Sequence, residues 1–134
     1  MVDYLLEVIE VPVSDFDRAR DFYVGAGFHL DVDLVVGEDF RVVQLTPPGS
    51  ACSITLKRND APGSLQGLYL IVTDAAAAHA DLSSRGVPVS EPFHFGPSGQ
   101  EPGPDPDHGD FETYLSFSDP DGNGWLVQEV PSRA

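Results

Sequence analysis

The stretch Val11-Pro-Val-Ser-Asp-Phe-Asp-Arg-Ala19 decides the fold, because its pattern recurs later in the chain as Leu70-Ile-Val-Thr-Asp-Ala-Ala-Ala-Ala78. In each copy an apolar strand pattern runs into Ser or Thr followed by Asp. A helix pattern comes next and ends at a glycine, Gly27 in the first copy and Gly86 in the second. A repeat of this kind fixes the architecture, so we expect two copies of one structural unit.

Ser14 and Thr73 are predicted to be the helix N-caps, since their hydroxyls can accept hydrogen bonds from the free N–H groups of a first turn. Asp17 follows Ser14 by three residues, the spacing of a capping box. The helices are expected over about residues 15–26 and 75–85. Gly86, after the second helix, can take the left-handed conformation that ends a helix.

Each predicted helix is followed by three strand patterns separated by turns rich in Gly, Asp and Pro. The predicted strands are about 29–36, 40–45, 52–57, 87–91, 113–118 and 125–130, and the turns are 37–39, 47–49 and 119–124. The chain is therefore predicted to be a single α+β domain over residues 1–134. It consists of two tandem β-α-β-β-β modules, about 4–59 and about 66–131.

Two phrases of the sequence carry a family resemblance. The opening stretch, extended to Tyr23, and the stretch Phe117-Ser-Asp-Pro-Asp-Gly-Asn-Gly-Trp125 resemble the first and last parts of the vicinal oxygen chelate fold. This superfamily includes glyoxalases, bleomycin-resistance proteins and extradiol dioxygenases. The resemblance covers nearly the whole chain and implies that the mixed sheets form a cup around a small-molecule site. It also implies a homodimer.

Composition excludes several classes of partner. Acidic residues outnumber basic residues by 22 to 7, and the formal net charge of −15 would repel nucleic acid and anionic lipid surfaces while favouring a cationic ligand. Cys52 is the only cysteine, so no internal disulfide can form. The N-terminal residues do not resemble a signal peptide, and no apolar run is long enough to span a bilayer. We therefore expect a cytoplasmic protein.

Metal-dependent members of the superfamily place ligands on the first and last strands of their modules. The resemblance maps these places to Val8, Gly67, Leu126 and Ser53, none of which is a good metal ligand. No metal or other cofactor is therefore expected. A displaced divalent-metal site is the alternative, and it would use Glu10, which lies two residues beyond Val8 on the same strand face.

Strand alternation also predicts which residues contact a ligand. Thr55 and Gln128 lie two residues beyond the implied ligand positions, and aromatic side chains can stack on a cationic aromatic ligand. The aromatic candidates are Tyr69, Tyr114, Phe117 and Trp125. The predicted ligand-binding residues are Tyr69, Thr55, Gln128, Tyr114 and His94.

His94 enters this set from the segment 91–110, in which nine of 20 residues are Gly or Pro. Such a long irregular loop is expected to be either a mobile surface excursion or a gate over the cup. As a gate it would bring His94, His108 or Glu112 near the ligand. The turn 119–124 matches half of a calcium-binding loop, but Val130 stands where a glutamate is needed, so a β-turn is predicted.

Three functions remain open. The first is a metal-free protein that binds a drug or metabolite and confers resistance. The second is a metal-free isomerase, epimerase or cyclase of secondary metabolism, with Glu10 as the general base. The third is a metal-dependent lyase or dioxygenase with a displaced site. Whether the protein is an enzyme is left undecided, and an enzyme would be a lyase or isomerase.

Overall fold

The computed structural model describes residues 1–38 and 40–134 as two compact units. Unit one comprises Met1–Leu65 and Asp119–Asn123, and unit two comprises Gln66–Ser118 and Gly124–Ala134. The predicted turn 37–39 includes Asp39, which lies outside the described residues. Among the helices of the described residues, none is long and apolar enough to cross a membrane.

Unit one consists of one helix on a four-stranded mixed sheet. Its elements are β1 (Val8–Val13), α1 (Phe16–Gly25), β2 (His29–Val35), β3 (Arg41–Thr46) and β4 (Ser53–Arg58). The strand order is β1-β4-β3-β2, in which β1 and β4 are parallel and the other neighbours are antiparallel. This is the β-α-β-β-β connectivity expected from the sequence.

Helix α1 packs on one face of this sheet, because period-two alternation places apolar side chains there. The buried residues at this interface are Val11, Val13, Ala19, Tyr23, Val43, Leu45, Ile54 and Leu56. The opposite face exposes large side chains, including Val8 at 50% and Leu34 at 54%. We call it the module-one open face, and the strand register assigns to it Val8, Glu10, Val32, Leu34, Val42, Gln44, Thr46, Ser53 and Thr55.

Unit two has the same plan with one additional strand. Its elements are β5 (Leu68–Val72), α2 (Ala75–Ser84), β6 (Phe93–Gly96), β7 (Gly99–Pro102), β8 (Thr113–Ser118) and β9 (Gly124–Glu129), followed by a 3-10 turn (Pro131–Arg133). The strand order is β5-β9-β8-β6-β7, with β5 and β9 parallel. The fold is therefore the predicted α+β arrangement of two mixed sheets, each with one helix.

The core of unit two lies between α2 and its sheet. The rings of Phe117 and Trp125 stack there, with centroids 5.9 Å apart and planes inclined by 2°. Both side chains are almost fully buried, so these two aromatic candidates support the fold and do not line an open face. The residues on the other side form the module-two open face, which comprises Tyr69, Ile71, Phe93, Phe95, Tyr114, Leu126 and Gln128.

The predicted N-caps were wrong by one residue. The carboxylate of Asp15 accepts from the Arg18 N–H at 3.0 Å, and that of Asp74 accepts from the Ala77 N–H at 3.0 Å. A carboxylate at this position satisfies a free N–H and also interacts favourably with the helix dipole, so it displaces the neighbouring hydroxyl. Gly86 takes the predicted left-handed conformation, with φ of 80°, and Gly27 has a positive φ of 103° as well.

The predicted strand 87–91 was also wrong, as was the expectation that the whole segment 91–110 is irregular. Pro88 and Pro92 lack the N–H groups that a strand ladder needs, and the segment is tied to β8 by hydrogen bonds through Ser90. Strands β6 and β7 instead form a hairpin from Phe93 to Pro102, inside the predicted loop. The remaining strands lie within two residues of their predicted positions.

An ion-pair cluster on the α1 side of unit one makes a pH-dependent contribution to stability. Arg41 Nε lies 2.9 Å from Asp33 Oδ1, and Arg20 Nη1 lies 2.8 Å from Asp33 Oδ2. The hydrogen bonds from Arg41 and then from Arg20 lower the pKa of Asp33 from 3.8 to about 2. The stabilisation is therefore fully present above the unfolded-state pKa near 4 and is lost as the pH falls towards 2.

We expect Asp33→Asn to lower the free energy of unfolding by about 1–2 kcal/mol at neutral pH, after allowance for partial exposure. The difference from the wild type should fall to less than half at roughly pH 2.5, because protonated Asp33 resembles asparagine. Urea unfolding at the two pH values measures this. Asp81→Asn, in an exposed pair with Arg85, is the control, and an equal pH dependence in both variants would contradict the assignment.

Candidate functional site

The module-two open face is the stronger candidate for a binding surface. Tyr69 is 52% exposed and Phe95 is 57% exposed, although both are large aromatic residues. Cross-strand register brings the rest of the face together, since Tyr114 pairs with both Phe93 and Gln128. Directly opposed residues project to the same side of a sheet, so these side chains form one continuous surface.

Three rings form an aromatic cluster on this face. Phe93 and Tyr114 stack with centroids 5.7 Å apart, and Phe95 meets Tyr114 edge-on at 5.4 Å. Phe93 and Phe95 are also edge-on, at 6.0 Å. The mutual contacts hold the rings in fixed orientations, while the exposed part of Phe95 is available to another molecule. Such a cluster can bind a flat aromatic group or a cation.

Gln128 supplies a polar group beside the rings. Its Nε2 donates to the Tyr114 hydroxyl at 3.0 Å and to the Phe111 carbonyl at 3.2 Å. Both amide protons are therefore used within unit two. Among the described residues these bonds leave the Gln128 carbonyl oxygen as an acceptor and the Tyr114 O–H as a donor towards a ligand.

The module-one open face has a different character. Glu10 pairs with Thr55 across β1 and β4, and Val8 pairs with Ser53. The Glu10 side chain is 66% exposed, and its Oε2 lies 3.8 Å from Lys57 Nζ, which is itself 55% exposed. The predicted base is thus a solvated carboxylate beside an ammonium group.

A chain of hydrogen bonds crosses three strands of the same face. His29 Nδ1 lies 2.7 Å from Asp31 Oδ1, Thr46 donates to Asp31 Oδ2, and Thr46 Oγ1 lies 2.6 Å from Ser53 Oγ. A carboxylate only accepts, so Nδ1 carries a proton and Ser53 must donate to Thr46. The Thr46 hydroxyl and then His29 hold the pKa of Asp31 below its usual range. We call these four residues the polar chain.

Asp31 reaches its partners because β2 is irregular at this point. The register shifts between Leu30 and Val32, so Asp31 is an additional residue opposite β3. A β-bulge of this kind redirects one side chain, here towards Thr46 and His29. A bulge of this kind has no clear signal in the sequence, and the polar chain was not predicted for that reason.

The residues at the implied metal-ligand positions do not fit a divalent metal. Val8 and Leu126 are apolar, Gly67 has no side chain, and Ser53 donates its proton to Thr46. In the described part of the chain, no three His, Cys, Asp or Glu side chains are grouped so that they could hold a metal ion. No step of a chelate mechanism can therefore be assigned to these residues.

The structure places five of the six predicted site residues on open faces in the described units. Tyr69, Tyr114 and Gln128 share the module-two open face, and Thr55 lies on the module-one open face with Glu10. Phe93 and Phe95 were missed, since they fall inside the segment that was predicted to be irregular. Alternation of Phe93 with His94 and Phe95 was the available signal.

His94 is not brought to these residues. It pairs with Thr113, whose side chain faces the opposite side of the sheet from Tyr114. The His94 Nδ1 lies 2.8 Å from the Gly103 carbonyl oxygen, and Nε2 lies 3.3 Å from Glu101 Oε2. These contacts hold the imidazole against the β6–β7 hairpin.

Comparisons with known proteins support the assignment of the fold. TnmS3, an antibiotic binding protein from Streptomyces sp. CB03234, is 34% identical, with a TM-score of 0.74 over 97% of this chain and 98% of that chain. A glyoxalase/bleomycin resistance protein from the same organism is 35% identical, with a TM-score of 0.69 over 92% and 98% of the two chains. A superfamily member from Sphaerobacter thermophilus DSM 20745 is 30% identical, with a TM-score of 0.71 over 95% and 98%.

No curated protein sequence matches the chain significantly. The sequence profile of the Glyoxalase/Bleomycin resistance protein/Dioxygenase superfamily matches residues 5–127, which is nearly the whole chain. The profile match and the two β-α-β-β-β units agree with each other. The chain therefore belongs to the Glyoxalase/Bleomycin resistance protein/Dioxygenase superfamily.

Proposed function

We propose that the protein binds a small organic molecule, a drug or metabolite with a flat aromatic part, without a metal ion. The observation that carries this proposal is the partly exposed aromatic cluster of Phe93, Phe95 and Tyr114, with Gln128 beside it. The rings supply stacking area, and the amide supplies a hydrogen bond that fixes the orientation of the ligand. Binding of the ligand is itself the function, as in a resistance protein that sequesters a drug.

The charge of the protein favours a cationic ligand. A net charge of −15 raises the local concentration of cations and speeds their association at low ionic strength. Faces of aromatic rings attract cations further, by about 0.5–2 kcal/mol for each contact. The ligand that combines these preferences is an aromatic compound with an amino or guanidino group.

The similarity to TnmS3 supports antibiotics as the ligand class. That protein is an antibiotic binding protein, and the alignment covers nearly all of both chains. Because function depends on the site and not on the fold, the ligand of this chain is inferred from its own aromatic cluster.

We further propose that the protein is a cytoplasmic homodimer. Residues 2–6 carry Val2, Tyr4, Leu5 and Leu6 with exposures of 67–89%, and such a run of exposed apolar side chains is typical of a surface that another chain covers. A second copy of the chain is the proposed partner. Light scattering at micromolar concentration should give twice the 14.4 kDa chain mass, and a monomer would contradict this.

Calorimetric titration with a panel of cationic and neutral aromatic antibiotics tests the proposed binding. Metal-free protein, verified by elemental analysis after purification without chelators, should bind at least one compound with a Kd below about 10 μM. No binding by any member of the panel would overturn the proposal. Stoichiometric metal in the purified protein would instead support the lyase and dioxygenase alternative.

A second candidate function is general acid–base catalysis by a metal-free isomerase or cyclase. The polar chain favours it, because the Asp31 carboxylate orients His29 through Nδ1, and Nε2, which has no partner among the described residues, can accept a proton. Mass spectrometry of each bound compound after incubation detects turnover. Asp31→Asn should abolish turnover and leave binding intact. If Glu10→Gln abolished turnover and Asp31→Asn did not, Glu10 would be the base.

A further inference from the structure

A cavity of about 310 Å³ lies in unit two, on the α2 side of the sheet. Thr113 and Glu129, which line the cavity, are the chain neighbours of the open-face pair Tyr114 and Gln128. Their side chains therefore project to the other side of the sheet. The described residues that line it include Asp74, Ala75, Ala76, His108, Thr113 and Glu129, together with three prolines. The cavity is therefore separate from the aromatic cluster, on the other side of the same sheet.

A buried carboxylate gives the cavity its charge. Glu129 is 8% exposed, and its Oε2 accepts from the Ala75 N–H at 2.7 Å. Its other oxygen has no hydrogen-bond partner among the described residues and keeps some accessible surface, because every fully enclosed side-chain oxygen there has a partner. A buried carboxylate is costly unless hydrogen bonds or a positive charge compensate it, so this oxygen favours a positively charged donor.

The surroundings of Glu129 do not neutralise it. Asp74 also lines the cavity and uses one carboxylate oxygen to cap the Ala77 N–H. The helix N-terminus contributes about half a positive charge, against two negative charges. Among the described residues that line the cavity, none is Lys or Arg. The cavity is therefore electronegative, and an anion would be repelled.

The remaining walls exclude a bare metal ion. Ala75, Ala76 and three prolines present hydrocarbon, and in the described part of the chain no three His, Cys, Asp or Glu side chains, His108 included, are grouped so that they could hold a metal ion. Small-molecule sites start at about 300 Å³, so the volume suits a compact organic group. Rigid proline walls also keep the cavity open without a loss of side-chain entropy on binding.

We propose that this cavity is a second binding site, which takes a small organic ammonium ion. The ammonium group donates to the free carboxylate oxygens of Glu129 and Asp74, and its hydrocarbon part lies against the prolines. The site is independent of the aromatic cluster. Its proposed ligand is compact and aliphatic, whereas the ligand proposed for the aromatic cluster is flat and aromatic.

Titration of ¹⁵N-labelled protein with n-butylamine at neutral pH, followed by NMR, tests the proposal. The backbone amide signals of Ala75, Ala76, His108 and Thr113 should shift along a saturable curve. The neutral compound n-butanol has nearly the same size and should leave these signals unchanged. Glu129→Gln keeps an acceptor for the Ala75 N–H and removes the charge, so it should weaken butylamine binding at least about tenfold.

Glu91→Gln is the matched control, because this carboxylate belongs to the same unit, is 88% exposed and does not line the cavity. It should leave the affinity for butylamine unchanged. Any of three results would overturn the proposal. The amide signals could shift equally with n-butanol, Glu129→Gln could bind butylamine as tightly as the wild type does, or Glu91→Gln could lose as much affinity as Glu129→Gln. If Glu129→Gln does not fold, Asp74→Asn, which retains the helix cap, provides the same comparison.

Discussion

Replacing Asp119 by alanine is expected to lower the free energy of unfolding by about 3–5 kcal/mol, the largest effect of any single substitution considered for unit one. Asp119 is 5% exposed, and its Oδ2 accepts from the hydroxyl of Tyr23 at 2.7 Å and from Asn123 Nδ2 at 2.8 Å. Its Oδ1 accepts from the N–H groups of Asp121 and Asn123. Alanine would leave several of these donors buried without a partner.

Urea unfolding followed by circular dichroism measures this effect. Asp119→Asn should be intermediate, since the amide retains one acceptor oxygen but cannot accept at both positions. Asp81→Ala, in an exposed pair on α2, should cost less than about 0.5 kcal/mol. A loss below about 1 kcal/mol in Asp119→Ala would contradict the structural role assigned to this carboxylate.

Removal of two rings from the aromatic cluster is expected to weaken ligand binding about a hundredfold, which corresponds to about 2.7 kcal/mol. The variant is Phe95→Ala combined with Tyr114→Ala. Each ring supplies stacking area and excludes water from the ligand, and aromatic residues are the commonest dominant contributors at binding surfaces. Calorimetry with the compound identified in the panel measures the loss.

Phe40→Ala is the control, because Phe40 is 56% exposed and belongs to unit one, outside the module-two open face. It should bind the ligand as the wild type does. Tyr114→Phe, which keeps the ring and removes the hydroxyl, should lose less than tenfold. Wild-type affinity in the double variant would move the binding site away from the module-two open face.

Much of the fold could be predicted because the repeat, the glycines and the alternation of apolar residues all act locally. The helices, seven of the strands and the left-handed Gly86 follow from such short-range rules. The β6–β7 hairpin could not be predicted in this way. Its strands have only four residues each, and the many prolines and glycines within 91–110 are typical of irregular structure. Its pairing depends on Phe93 and Phe95 packing against Tyr114.

The candidate site was predictable where strand alternation is unbroken. Gln128 shares a face with Leu126, two residues earlier, and alternation puts the aromatic candidates Tyr69 and Tyr114 on that face as well. His94 was assigned without a strand, and the true strand directs it to the other face. The partner of Glu10 could not be identified from the sequence, because Lys57 belongs to a different strand of the sheet.

The bulge at Asp31 bears on how this protein can change during evolution. His29 and Leu30 precede the bulge, Val32 and Asp33 follow it, and both pairs alternate as they would in a strand without Asp31. Deletion of Asp31 would therefore leave a regular strand with every other side chain on its present face. The residue is an insertion that the sheet does not require. Mutation can thus alter the polar chain while the rest of the strand keeps its present alternation.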